Sequence, residues 1–419
     1  MRLWDRRRML SRLGGAASVG LWPTPSADAL GLGADKIKVI RYYTNPGDAQ
    51  GRQGQPMVNQ SANVVIIETE GGLKGIGEGG EPRTMEECAA MLIGQDPFRI
   101  ENMWQRMMRG YFYPAGREKI HSLGALDLAL WDLKGKAAGW PVWQLLGGKS
   151  RDYVELYATA YPRPTPGAAI SDTARACRDA GFRVYRSAAD IGGGREVDRF
   201  ALVRRMFEDC AAMQKAAGDG GWAMDFHTEL DPPDSMRLCQ MIEEAQLAPY
   251  FCEDLIRSEN VDTYQVMRQR TKLPIAVGEQ FGYKWDVNTL IERQLIDYAR
   301  VTLPNVGGIS EFMKIVAIAE THYVGMIPHF TGPIAEAALV NCLTATSVPA
   351  LMEMLGDGRR TWPYLPKVYD FKDGRLWPNQ RPGLGVEVDV SKLTKVGEYA
   401  TYRAGMLLNH RPDGSFTNW

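Results

Sequence analysis

The sequence predicts an α/β protein in two parts, a strand-and-helix domain followed by a TIM-like (β/α) barrel. Three observations carry this. After Gly148, eight strand-like runs alternate with amphipathic helical stretches, the rhythm of parallel strands joined by helical crossovers. Before it, two strand runs meet at a Gly-Gly turn and helical patterns follow. Three consecutive barrel runs also carry a carboxylate at their ends: Asp225 in MDFH, Glu253 in YFCED and Glu279 in PIAVGEQ. They are 28 residues (225 to 253) and then 26 residues (253 to 279) apart, about one strand-helix-strand repeat each.

At 419 residues, with 45% hydrophobic and 24% charged content, the chain is long enough for a barrel plus a second domain. A formal net charge of -1 and the lack of a basic stretch in the body argue against nucleic acid or an anionic membrane as a main partner. The expected partner is a small molecule, with no nucleic acid and no membrane span, and the expected assembly is a homo-oligomer. Six cysteines stand singly, without the close pairs of a zinc or redox motif, and are expected to be buried free thiols.

The first residues differ from the rest. Arg6, Arg7 and Arg8 precede a mildly apolar stretch from Leu13 to Trp22, and Ala27-Asp28-Ala29 has the form of a cleavage site. Residues 1–34 are therefore expected to be a twin-arginine export signal giving a periplasmic protein, or else a disordered basic tail on a cytoplasmic one.

From Lys36 to Glu78 the runs KIKVIRYY, NVVIIETE and LKGIGEG read as strands, the last two forming a hairpin at Gly71-Gly72. Between the first two, Thr44 to Gln60 has loop composition. Helical patterns cover Thr84 to Ile93 and Ile100 to Met108. The helix GALDLALWDLKGKAAG repeats Leu123, Leu126, Leu130 and Leu133 at helical spacing, with Gly139 as its stop and Pro141 forbidding continuation. Barrel strands are expected from Val154, Phe182, Trp222, Tyr250, Ile275, Asp297, Val324 and Ala350. This divides the chain into a capping domain at 35–150, a barrel at 151–366 and a segment at 367–419 that returns to the capping domain.

In such a barrel the reactive groups sit at the C-terminal ends of the strands. Three carboxylates converging there repel one another unless a cation neutralises them, and hard oxygen donors suit a divalent ion such as Mg²⁺. His227 lies two residues after Asp225, so an extended segment would point both the same way, and His329 ends the seventh strand. The two histidines form a candidate acid and base pair. Glu353, at the end of the eighth strand, is a candidate hydrogen-bond donor if its surroundings keep it protonated.

The helix GALDLALWDLKGK, the series DFH, CED and GEQ, and the segments NVGGISEFMKI and IPHFTGPIAEAA together resemble the enolase superfamily, in its mandelate racemase and muconate lactonising group. The resemblance runs from Lys36 to the end. It is nearest to sugar-acid dehydratases of the galactonate and mannonate type, which also carry Asp-x-His on the third barrel strand, as Asp225 and His227 do here. It implies a modified (β/α)₇β barrel under an α+β capping domain, Mg²⁺ on Asp225, Glu253 and Glu279, and dehydration of an acid sugar. His329 would then take the proton α to the carboxylate, His227 would protonate the departing β-hydroxyl, and Glu353 would assist at the substrate carboxylate. Alternatives left open are a single-base racemase or epimerase, a silent sugar-acid binder and a lactonising enzyme.

Two positions depart from the family pattern. Arg186-Ser187-Ala188 stands where a Lys-x-Lys is common, which removes the second lysine of a two-base racemase and leaves Arg186 to hold a substrate oxygen or pair with a barrel carboxylate. Thr302 stands where an Asp orients the strand-seven histidine, which should leave His329 less basic. The resemblance to mannonate-type dehydratases, which take their base from a Tyr/Arg pair early in the barrel, makes Tyr161 and Arg163, just after the first barrel strand, a second candidate for the base. Tyr113 and Arg117, with Tyr111 and Phe112, are candidate substrate contacts in a capping loop.

Overall fold

The computed structural model describes residues 35–44, 61–113, 115–189, 196–330, 332–359, 361–366, 369–405 and 408–417. The expected export signal and most of the Thr44 to Gln60 loop lie outside them. The capping domain opens with β1 (Ile37–Thr44), β2 (Val64–Thr69) and β3 (Lys74–Glu78). β2 and β3 form the expected hairpin, turned by Gly72 at φ +84°, a conformation that costs a residue with no Cβ little. Helices α1 (Pro82–Ala90), α2 (Ile100–Arg109), α3 (Arg117–Ala138) and the short α4 (Val142–Leu145) follow.

Helix α3 is buried on almost every side, because it lies between the capping sheet and the barrel. Leu123, Leu126, Leu130 and Leu133 are all fully buried, and the helix ends at Gly139 in the left-handed conformation, as its sequence requires. Its closest approach to the barrel is at Gly124, where a Cβ would stand 1.9 Å from the carbonyl oxygen of Pro304.

The barrel alternates β4 (Val154–Thr159), α5 (Ile170–Asp179), β5 (Val184–Ala188), α6 (Arg199–Ala217), β6 (Trp222–Asp225), α7 (Pro232–Glu244), β7 (Cys252–Glu253), α8 (Thr263–Arg270), β8 (Ile275–Val277), α9 (Lys284–Glu292), β9 (Tyr298–Ala299), α10 (Ile309–Thr321), β10 (Gly325–Met326), α11 (Pro333–Thr344) and β11 (Met352–Leu355). These are the eight expected strands. β4 to β10 pair in order and in parallel, β11 pairs with β4, and a bridge from Met326 to Ala350 joins β10 to the segment entering β11, so the sheet closes.

The last part divides its loyalty. β12 (Asp370–Lys372) and β13 (Arg375–Trp377) form a hairpin whose second strand pairs antiparallel with the start of β4, so this stretch belongs to the barrel sheet rather than to the capping domain. Among the described residues of this part, only β14 (Thr394–Tyr399) returns to the capping sheet, as the outer neighbour of β1. All six cysteines are free and buried. No helix among the described residues is long and apolar enough to cross a membrane.

Candidate active site

Side chains alternate across a strand, so each barrel strand presents every second residue to the interior. Tyr157, Val184, Ala223, Phe251, Ala276, Ile327 and Leu351 form one buried cluster, apart from the layer that faces the helices, and plug the barrel floor. Two residues further along the same strands stand Thr159, Arg186, Asp225, Glu253, His329 and Glu353, and Arg300 lies two beyond Tyr298. A polar layer thus rests on an apolar one, with little water to screen its charges.

Two guanidiniums run through this layer. Arg186 meets Asp225 Oδ2 at 3.0 Å, Glu253 Oε1 at 3.0 Å and Glu353 Oε1 at 3.1 Å. Arg300, wholly buried, meets Glu253 Oε2 at 2.9 Å, Glu353 Oε2 at 2.7 Å and the Glu279 carboxylate. Arg186 is therefore taken up by barrel carboxylates, the second of its two expected roles. Asp225, Glu253 and Asp254 form a buried triad in which one carboxylate oxygen of each lies within 4.8 Å of the others, the donor set of a divalent cation. Glu279 stands at the same mouth, turned to Arg300 and to His329 Nε2 at 3.4 Å, and is not in that close set.

The triad fits a cation on its own chemistry. Oδ2 of Asp225, Oε2 of Glu253 and Oδ2 of Asp254 carry no hydrogen bond, the first two meeting their arginines only as ion pairs. Five carboxylates (Asp225, Glu253, Asp254, Glu279, Glu353) face two guanidiniums, which leaves an acidic excess in a buried layer. Burial first, and neighbouring carboxylates after it, push the carboxyls of Asp225, Glu253 and Asp254 above their ordinary range despite the arginines.

Glu353 corrects an expectation. Burial pulls its carboxyl upward, but Arg300 and Arg186 outweigh that and hold it down to about 2, so it is an ionised acceptor and not a donor. It accepts from the Phe330 N–H at 3.0 Å and from the Thr159 hydroxyl. Glu279 is likewise held to about 2, burial being outweighed by His329 and Arg300.

His329 is buried, and burial lowers its ring to about 4, more than Glu279 raises it, so the imidazole is neutral near pH 7. Its Nδ1 is 3.1 Å from the Thr302 hydroxyl, which in turn reaches the Glu279 carbonyl oxygen at 3.4 Å. Two tautomers satisfy these contacts: with the hydroxyl donating to that carbonyl it accepts from Nδ1–H and the lone pair falls on Nε2, and with the hydroxyl donating to Nδ1 the proton sits on Nε2, towards Glu279 Oε2. Thr302 thus occupies the orienting place expected for an Asp, with a hydroxyl in place of a charge.

His227 does not sit on extended backbone. The chain turns after Asp225, with His227 at φ +50° and Thr228 at φ +59°, so alternation no longer decides where the imidazole points. Its N–H binds Asp225 Oδ1 at 2.6 Å, while its ring is half exposed and 3.7 Å from Glu229. Arg117 links the capping domain to the barrel through Ser258 at 3.1 Å and Asp286 at 3.3 Å. Tyr113 is 79% exposed, edge-on to Phe112. Tyr161 packs edge-on against Phe182.

Arg300 and Asp254 are the site residues that the sequence reading passed over. Arg300 was discoverable from register, since it falls two residues after Tyr298 and two before Thr302. Asp254 was not, because strict alternation turns the neighbour of Glu253 outward, whereas the backbone there adopts φ +45°.

Comparison with known proteins agrees with this architecture. Residues 54–147 match the mandelate racemase / muconate lactonizing enzyme N-terminal domain, and residues 169–392 match the enolase C-terminal domain-like family. The chain is 34% identical over 362 residues to a D-galactonate dehydratase family member from Streptomyces bingchenggensis, covering 80% of this chain and 86% of the relative. It is also 34% identical over 361 residues to a D-mannonate dehydratase from Caulobacter sp., covering 78% and 86%. A solved structure of an enolase from Pantoea ananatis with bound D-gluconate and Mg superposes with a TM-score of 0.74 at 25% identity, covering 85% of this chain and 94% of that one. With the capping sheet, the closed barrel and the buried carboxylates at its mouth, these matches place the chain in the enolase superfamily, in its mandelate racemase and muconate lactonizing group.

Proposed function

We propose that the protein is a Mg²⁺-dependent acid-sugar dehydratase, which removes the proton α to the carboxylate of an aldonate and expels the β-hydroxyl as water. The observation that carries this reading is the under-neutralised carboxylate cluster set beside a neutral, oriented His329. The dehydratase relatives at 34% identity, and the D-gluconate and Mg in the Pantoea structure, support the substrate class and the ion.

Asp225, Glu253 and Glu279 would hold the ion, with Asp254 beside the first two as a further donor. When bound, it supplies positive charge against the substrate carboxylate as the α-carbon becomes electron-rich. The rest falls to the chain's own side chains. His329 rests in its neutral form and, as the Nδ1–H tautomer, accepts the α-proton on Nε2 without first losing one. Thr302 holds the ring's other nitrogen. His227, half in solvent, delivers a proton to the departing hydroxyl and is refilled from water. Arg300 and Arg186 keep Glu353 ionised, which fixes the Phe330 N–H and the strand end that carries His329.

The test is a screen of the purified protein with Mg²⁺ against a panel of acid sugars, reading the 2-keto-3-deoxy product. His227→Asn should abolish dehydration while exchange of the α-proton with solvent persists. Full dehydration by that variant removes His227 from the acid role. Products of unchanged mass across the panel would make the protein an epimerase, and metal-dependent ligand stabilisation without turnover would make it a binder.

A further inference from the structure

The helices that follow the two most reactive strand ends lack caps of their own. α10, after the strand end that carries Arg300 and Thr302, begins at Gly308, and α11, after His329, begins at Gly332; neither residue has a side chain to receive the free N–H groups of a helix start. Elsewhere in the barrel, α6 caps itself with Asp198, whose carboxylate accepts from the N–H groups of Phe200 and Ala201, while α5, α7, α8 and α9 start without a side-chain cap bond. At α10 and α11 the capping group comes from the other domain. Asp127 of α3 accepts from the Ser310 N–H at 3.0 Å and the Ser310 hydroxyl at 2.6 Å. Glu78, the last residue of β3, accepts from the Ala335 N–H at 2.7 Å.

Both carboxylates are fully buried and occupy the space that a side chain at the helix start would take. A Cβ on Gly308 would lie 2.5 Å from Asp127 Oδ2, and one on Gly332 would lie 2.0 Å from Glu78 Oε1. The same device is therefore used twice, on adjacent helices. The two strand ends that it steadies face each other, for Thr302 and His329 are bridge partners and share the Nδ1 to hydroxyl contact. His329 lies only three residues before Gly332, and between them Phe330 is fixed by Glu353. Phe330 is thus held by a barrel carboxylate, and Ala335 in the first turn of α11 by a capping-domain carboxylate.

We infer that Asp127 and Glu78 are positioning residues for the Thr302–His329 pair, so that the capping domain, besides covering the barrel, sets the orientation of the imidazole. Neither residue touches substrate in this account. The inference rests on the reading of His329 as the base, but its test does not need that reading to be right.

The test records the ring ¹⁵N signals of His329 in ¹⁵N-histidine-labelled full-length protein without substrate, assigned by their loss in His329→Asn; the chain has only five histidines. Asp127→Ala and Glu78→Ala should shift the His329 signals and, on an active substrate, lower kcat about ten- to a hundredfold while KM changes little. Asp127→Asn and Glu78→Gln, which keep an acceptor oxygen, should recover most of both effects. Asp132→Ala is the control, because Asp132 is as deeply buried and holds the N–H groups of Ile76 and Leu384, but none in α10 or α11. His329 signals left in place in the folded alanine variants, or moved equally by the control, overturn the inference. Should the alanine variants not fold, Ser310→Ala removes one of the two bonds to Asp127 and is read in the same way. A protein that dehydrates nothing still gives the ring signals, so the two claims fail separately.

Discussion

On the β8 to β11 side of the barrel mouth, Glu279 and Glu353 are held to about 2, while on the β6 and β7 side Asp225, Glu253 and Asp254 are all pushed above the ordinary carboxylate range. Burial is the largest influence on all five. What differs is the company. Glu353 has a guanidinium on each oxygen and two further donors, whereas Asp254 has an oxygen with no hydrogen bond and, among the described residues, no arginine in ion-pair reach. Two guanidiniums cannot serve five carboxylates, and the side they serve least is the side where a cation fits. Glu253 shows the limit, since it meets both arginines and is still pushed up.

The contrast can be broken most directly at Arg300. Arg300→Met leaves Glu253, Glu279 and Glu353 buried with fewer counter-charges and should cost about 3–5 kcal/mol in urea unfolding; a loss under about 1 kcal/mol would mean that those carboxylates are protonated in the fold. Glu353→Gln sharpens it by pH. A carboxyl held at about 2 against an ordinary 4.5 adds stability that is complete above about pH 4.5 and fades as pH falls towards 2. The variant should therefore trail the parent by about 3 kcal/mol at neutral pH in EDTA, with the gap closing across that window. A gap that stays constant down to pH 2 would show that Glu353 is not the ionised partner.

On the other side, Mg²⁺ at a hundred times its dissociation constant should stabilise the protein by about 2.7 kcal/mol, and Asp225→Asn should remove most of that gain in thermal melts. Equal stabilisation of parent and variant would move the ion elsewhere. The smallest effect on stability is expected at Thr302→Val, about 1–2 kcal/mol, because the hydroxyl's two neutral contacts, to His329 Nδ1 and to the Glu279 carbonyl, are lost. Its ring ¹⁵N spectrum should nonetheless show His329 in a mixture of tautomers.

Much of this was legible in the sequence because the chain obeys simple periods. Eight strand runs, a Gly-Gly hairpin and a leucine-striped helix were enough for both domains, and the ends of three strands pointed to the carboxylates. What failed was inference through positive-φ residues. Asp254 and His227 lie where the backbone leaves the extended region, so counting residues by twos turns Asp254 outward and sets His227 on the side of Asp225, a rule that the backbone there does not follow. Ionisation was also beyond reach, since Glu353 reads as protonatable until Arg186 and Arg300, distant in sequence, are found beside it. The β12 and β13 hairpin was missed because three-residue strands leave hardly any periodic signal.

One strand of the capping sheet has a consequence for the order in which the molecule is made. β1 begins at Ile37, yet its outer neighbour β14 spans Thr394–Tyr399, so the sheet opens with one of the first strands synthesised and closes with one of the last. Until residue 399 leaves the ribosome, β1 presents an unpaired edge through the whole synthesis of the barrel. The domain over the barrel mouth is thus begun before the barrel and completed after it, and a chain released short of β14 carries that open edge as a template for aggregation.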